Sequence, residues 1–88
     1  MKGIQVVTSE GAHGPAYIRF SHEPVVRTEP WESQDDLVLD YDAVGGVVGI
    51  ELLSLGLEAI NALVEVARAN ELDLSALVAH SFDVSPAA

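Results

Sequence analysis

The hydrophobic period of this chain changes once, at Gly56. Before that residue, apolar positions alternate or run in short bursts broken by glycine and proline, as strands do. After it, Leu57, Ile60, Leu63, Val64 and Ala67 recur at helical spacing, with Glu58, Asn61, Glu65 and Arg68 opposite them. Strands first and helix last make an α+β fold. The expected architecture is an antiparallel sheet of four to five short strands, built as hairpins or a meander over residues 3–53, followed by one or two C-terminal helices packed on one face. Eighty-eight residues form a single domain, 1–88, with a helical tail over 57–80 and a frayed end at 83–88.

The strands are expected at 3–8, 16–21, 25–29, 36–41 and 47–53. Pro24 and Pro30 fence the third, which places it at a sheet edge. Residues 30–35 read as a polar loop carrying the only tryptophan, Trp31. In the last pair, Leu37, Leu39 and Tyr41 share one face, as do Val48, Ile50 and Leu52 on the return strand. Gly45 and Gly46 in the intervening turn supply positive φ at little steric cost. In the tail, Asn70 reads as a left-handed C-cap, and Asp73 as the cap of a second short helix through about His80 with Leu74, Leu77 and Val78 inward.

Val66 widens the helical apolar arc to nearly half the circumference, more than a helix resting on a sheet alone needs. The composition points the same way. Hydrophobic residues are 49% of the chain and mean hydropathy is +0.27, while a domain of this size removes only roughly 60–65% of its unfolded surface from water. Surplus apolar surface marks an interface. The chain is therefore expected to self-associate, with a dimer as the expected form, through the helical tail (Leu57, Ile60, Leu63 and Val66) or through an open sheet face, and with Trp31 as a hot-spot candidate.

Fourteen acidic residues against four basic ones give a formal charge of −10. Lys2, Arg19, Arg27 and Arg68 are scattered, which argues against direct nucleic-acid binding and against docking on anionic lipid. A basic partner protein is electrostatically more natural. The absence of cysteine excludes disulfides, thiolate zinc sites and a cysteine nucleophile. Met1–Gln5 lack the apolar core of a signal peptide and no apolar run approaches the ~20 residues of a membrane span, so the cytoplasm is the expected location.

Tyr17-Ile18-Arg19-Phe20, Val25-Val26-Arg27-Thr28-Glu29, Val38-Leu39-Asp40-Tyr41-Asp42 and Gly46-Val47-Val48-Gly49-Ile50-Glu51-Leu52-Leu53 follow one another as a series of motifs. Over about residues 16–54 this series resembles the small bacterial proteins called domain of unknown function 2283. That family reads as a Tyr-Ile-Arg-Leu strand, a Val-x-x-Thr-Glu strand and a Leu-Asp-Tyr-Asp-x-x-Gly-x-Val-Val-Gly-Ile-Glu-Ile-Leu hairpin. The acidic, alanine-rich approach to its first strand is here Glu10-Gly11-Ala12-His13-Gly14-Pro15-Ala16, and the tail from Leu57 lies outside the resemblance. The resemblance implies a partner-binding, antitoxin-like role.

Three constellations bear on chemistry. Asp40, Asp42, Gly45 and Glu51 fall at positions one, three, six and twelve of a calcium loop, but Val44 stands where position five needs an oxygen, and the flanks are strands. A small metal- or ligand-binding protein using Asp40, Asp42 and Glu51 is the alternative reading. Asp40 and Glu51 are expected to face each other across the hairpin, with Arg19 or Arg27 between them. A hydrolase built on Ser21, His22 and an acid is the third reading, disfavoured because adjacent strand residues point to opposite faces. The leading expectation is a non-enzymatic interaction module with no cofactor.

Overall fold

The computed structural model describes residues 1–10, 15–32 and 34–80. Among these residues seven strands and two helices follow in the order β1 (Lys2–Gly3), β2 (Val6–Ser9), β3 (Ala16–Arg19), β4 (Arg27–Trp31), β5 (Gln34–Tyr41), β6 (Val47–Leu52), α1 (Leu57–Asn70), β7 (Leu72–Asp73) and α2 (Ser75–His80). Five strands form one antiparallel sheet in the order β2-β3-β6-β5-β4, and α1 covers one of its faces. The expected α+β architecture is the observed one.

The period-two pattern of the central strands explains the core. Ala16, Leu52 and Leu37 lie side by side across β3, β6 and β5, and Ile18, Ile50 and Leu39 form the next row. All six are buried. The ladder shifts at Asp40/Tyr41, where Tyr41 pairs with Val47 and Asp40 with Gly49, so Val48 is the extra residue of a bulge. Both Val47 and Val48 are buried.

Four expectations need correction. The first strand is split: Lys2–Gly3 pairs in parallel with Leu72–Asp73, and only Val6–Ser9 joins the main sheet. The third strand begins at Arg27 and runs through Pro30 to Trp31, so residues 30–35 are not an open loop. Proline is tolerated because β4 is an edge strand whose outer N–H needs no partner. Glu32, at φ 49, makes the tight turn into β5. In the β5–β6 turn only Gly45 has positive φ. Gly46 instead donates its N–H to Asp42 Oδ1 at 2.7 Å.

The helix begins where its period begins, but it buries a different stripe from the expected one. Ala59, Ala62, Leu63, Val66 and Ala67 face the sheet. The three alanines let the helix backbone approach β5, and Leu63 and Val66 fill the remaining space. Leu63 (2% exposed) and Val66 (0%), expected at an interface, are therefore core residues. Leu57 (76% exposed) and Val64 (42%) lie on the outer flank, with Ile60 half-buried between flank and core. Trp31 is half-buried and closes the edge of the core.

The helix runs one residue past the expected cap. Glu71 takes the left-handed conformation (φ 55, ψ 49) and donates its N–H to Ala67 O, while Asn70 Nδ2 donates to Val66 O at 3.0 Å. The Glu71 carbonyl accepts from Lys2 N at 3.2 Å, which ties the N-terminus to the end of α1. Asp73 Oδ1 accepts the Ser75 N–H at 2.9 Å at the start of α2, and Leu74 and Leu77 pack on the core as expected. That N–H bond holds the Asp73 carboxyl below its ordinary range. The side chain of Val78, the Gly11–Gly14 segment and residues 83–88 lie outside the described residues. Among the described residues no helix is long and apolar enough to cross a membrane.

Candidate functional site

The sheet face away from α1 carries Tyr17, Arg19, Thr28, Asp40, Gly49 and Glu51, by the alternation that puts their neighbours in the core. Asp40 is the centre of this face. Its Oδ2 accepts the Tyr17 hydroxyl at 2.6 Å and its Oδ1 accepts the Thr28 hydroxyl at 2.7 Å. These three residues sit on β3, β5 and β4, so the relay spans four strands of the sheet. The strand between β3 and β5 contributes Gly49, directly beside Asp40 in the ladder. A Cβ built at Gly49 falls inside the Tyr17 hydroxyl and ring. Glycine at this position is what lets the phenol lie flat across β6 to reach the carboxylate.

Burial, the hydrogen bond to Asp40 and the nearby Asp40 charge together push the Tyr17 phenol up to about 12 from its ordinary 10.0. The fold thus favours the protonated phenol. Its contribution is complete below about pH 10 and is lost as pH rises through the folded value near 12. Tyr17 is half-buried, and solvent on its open side screens the effect to about 1 kcal/mol. Urea titrations at pH 9 and about pH 12 should show that loss in the wild type and a correspondingly smaller one in Tyr17→Phe. Equal losses in both would detach Tyr17 from the alkaline behaviour.

The three carboxylates considered for a metal are held apart by separate tasks. Asp40 serves Tyr17 and Thr28. Asp42 Oδ1 accepts the Val44 and Gly46 N–H groups at 3.0 and 2.7 Å and so organises its own turn. Glu51 pairs with Val38 and Tyr17 in the ladders, not with Asp40, and lines a shallow depression of about 330 Å³ with Thr8, Glu10 and Tyr17. Among the described residues no group of three His, Asp or Glu side chains is placed to hold a metal ion.

The arginines expected between Asp40 and Glu51 are engaged elsewhere. Arg19 donates to the Ser21 and Glu23 carbonyls at 2.7 and 2.8 Å. Arg27 pairs with Glu29 at 3.3 Å and stacks on the Tyr41 ring at 4.4 Å. Ser21 and His22 lie in the loop after β3, where Ser21 Oγ accepts the Glu23 N–H at 3.1 Å. His22 is exposed.

The geometry defines a small antiparallel-sheet domain with a helix on one face and a hydroxyl–carboxylate relay on the other. Residues 16–55 match the family described as "Protein of unknown function (DUF2283)". The match covers β3 to β6, and Tyr17, Thr28, Asp40 and Gly49 all fall within the matched residues. β1, β2, α1, β7 and α2 lie outside the match. No curated protein and no solved structure matches the chain.

Proposed function

We propose that this chain is a small, non-enzymatic interaction module that self-associates through the outer flank of α1. The observation that carries this reading is the exposure of Leu57 and Val64 on a helix whose opposite side already has a complete core. Two large apolar side chains one heptad apart, with Ile60 half-buried beside them, form a continuous stripe rather than scattered exposure. The relay of Tyr17, Asp40 and Thr28 supports the non-enzymatic half of the reading, since each polar group is used to hold strands together. The expected dimer disappears when Leu57 and Val64 are both replaced by Asp, with thermal unfolding little changed, because neither side chain belongs to the core. Sedimentation velocity on the wild type and the double variant measures this. A double variant that sediments as the wild-type dimer does would contradict it.

A second reading rests on the charge of −10. The open sheet face, with Glu51 and Glu10 at its rim, offers negative potential to a basic partner protein. Salt separates the two readings: an apolar contact between like-charged copies tightens as salt screens their repulsion, whereas a charge-matched complex weakens.

A further inference from the structure

We infer that β2 is an open sheet edge that takes an extended segment of a basic partner protein as a sixth strand. This rests on the second reading above, a basic partner at the sheet face, and gives that partner a place on the backbone. The two edges of the sheet differ. β4 is closed by Pro30, by the charged side chains of Arg27 and Glu29, and by the register shift at Pro30/Trp31. Such features keep an edge from pairing. β2 reads Val6-Val7-Thr8-Ser9, with no proline, no charge and an unbroken register against β3.

The ladder shows which groups are open. Glu10 donates its N–H to Pro15 O at 3.0 Å, so these two residues bond across the ladder. Period two then puts Thr8 with Tyr17, and Val6 with Arg19, in the same bonded class. The Phe20 N–H goes the other way, to Val48 O beside β6 at 2.8 Å, so in β3 it is Tyr17 and Arg19 that bond β2. Val7 and Ser9 therefore turn their N–H and C=O groups outward. Among the described residues no other strand pairs with that edge. An added strand finds a donor and an acceptor on each of the two.

Charge selects the occupant. The chain carries −10, and β2 itself carries no charge. Beside Thr8 begins the depression lined by Glu10, Tyr17 and Glu51. Arg19, the cation of this face, is turned to the Ser21 and Glu23 carbonyls. Neighbouring strands lie about 4.8 Å apart, so a Lys or Arg beside Thr8 on the sixth strand reaches the Glu10 side of the depression. A second copy would bring like charge to the same acids.

The probe is a short peptide of alternating Lys and Val, which sets Lys beside Thr8 and Val beside Val7. Its binding, followed by fluorescence anisotropy at about 0.1 M salt, should come with slowed hydrogen exchange of the Val7 and Ser9 amides. Ser9→Pro removes an outward N–H and no bond to β3, so it should weaken binding about tenfold or more with the melting temperature little changed. The same peptide N-methylated along its pairing edge needs no variant and should also bind the wild type about tenfold more weakly or worse. Glu in place of Lys in the peptide should abolish binding. A lysine peptide that binds wild type and Ser9→Pro equally, and leaves the Val7 and Ser9 amides unprotected, overturns the edge and leaves the basic-partner reading standing. No saturable binding up to about 1 mM overturns both. Protection of those amides that grows with protein concentration alone assigns the edge to a second copy and overturns the occupant named here.

Discussion

A chain stopped at Leu55, where the family match ends, is expected to show no cooperative unfolding transition. α1 is the cover of the sheet. Without it Leu37, Leu39, Ile50 and Leu52, all 2% exposed or less, would face water. Each such side chain contributes about 1.5–3 kcal/mol on burial. Four of them amount to about 6–12 kcal/mol, comparable with the whole stability of roughly 4–13 kcal/mol for a domain of this length. Circular dichroism and amide proton dispersion of the truncated chain would show this directly. A truncated chain that unfolds cooperatively as a monomer would mean that the family segment is self-sufficient and α1 an accessory. The same reasoning makes truncation a poor probe of self-association, because loss of a dimer would then report loss of the fold.

The second large effect is expected at Gly49. Gly49→Ala should destabilise the domain by about 1–3 kcal/mol, by driving the Tyr17 ring off β6 and breaking its bond to Asp40. In a Tyr17→Ala background the sign should reverse. With the ring gone, the three atoms nearest the added methyl are removed, and the methyl should then relieve glycine's entropic cost in a strand, a gain of about 0.5–1 kcal/mol. The double-mutant cycle is decisive because Tyr17 and Gly49 are coupled only through that overlap. Additive effects would show that the phenol does not lie over Gly49 in solution.

Much of the fold is legible in local sequence. The alternation of Leu37, Leu39, Ile50 and Leu52 reads correctly because it depends on two neighbouring strands and one turn. The edge position of β4 follows from its proline, and the start of α1 from the change of period at Gly56. The flank that α1 buries was harder to read. Hydrophobic spacing gives Leu57, Ile60 and Val64 the weight their size suggests, whereas close approach to a sheet selects Ala59, Ala62 and Ala67. An apolar arc nearly half a turn wide fits either choice, so Leu63 and Val66 could be assigned to the interface when they belong to the core.

The relay was out of reach for a different reason. Tyr17, Thr28 and Asp40 meet only because β6 inserts between β3 and β5, with β4 beyond. Strand order is non-local, and no spacing along the chain encodes it. The one sequence clue is Gly49, a glycine in the middle of a buried strand, which marks a place where something must come close. Asp42 carried the opposite ambiguity. Acid and glycine spacing resembles a metal loop, yet the same residue types serve a turn in which the carboxylate accepts two backbone N–H groups.

Two copies that meet through the apolar flank of α1 must do so against their own net charge, and sedimentation equilibrium of the intact chain across a salt series reads that balance. The expected result is a species of twice the 9.3 kDa chain mass, with a dissociation constant that falls as salt rises and the −10 charges are screened. A single species of 9.3 kDa at every salt and protein concentration would contradict it.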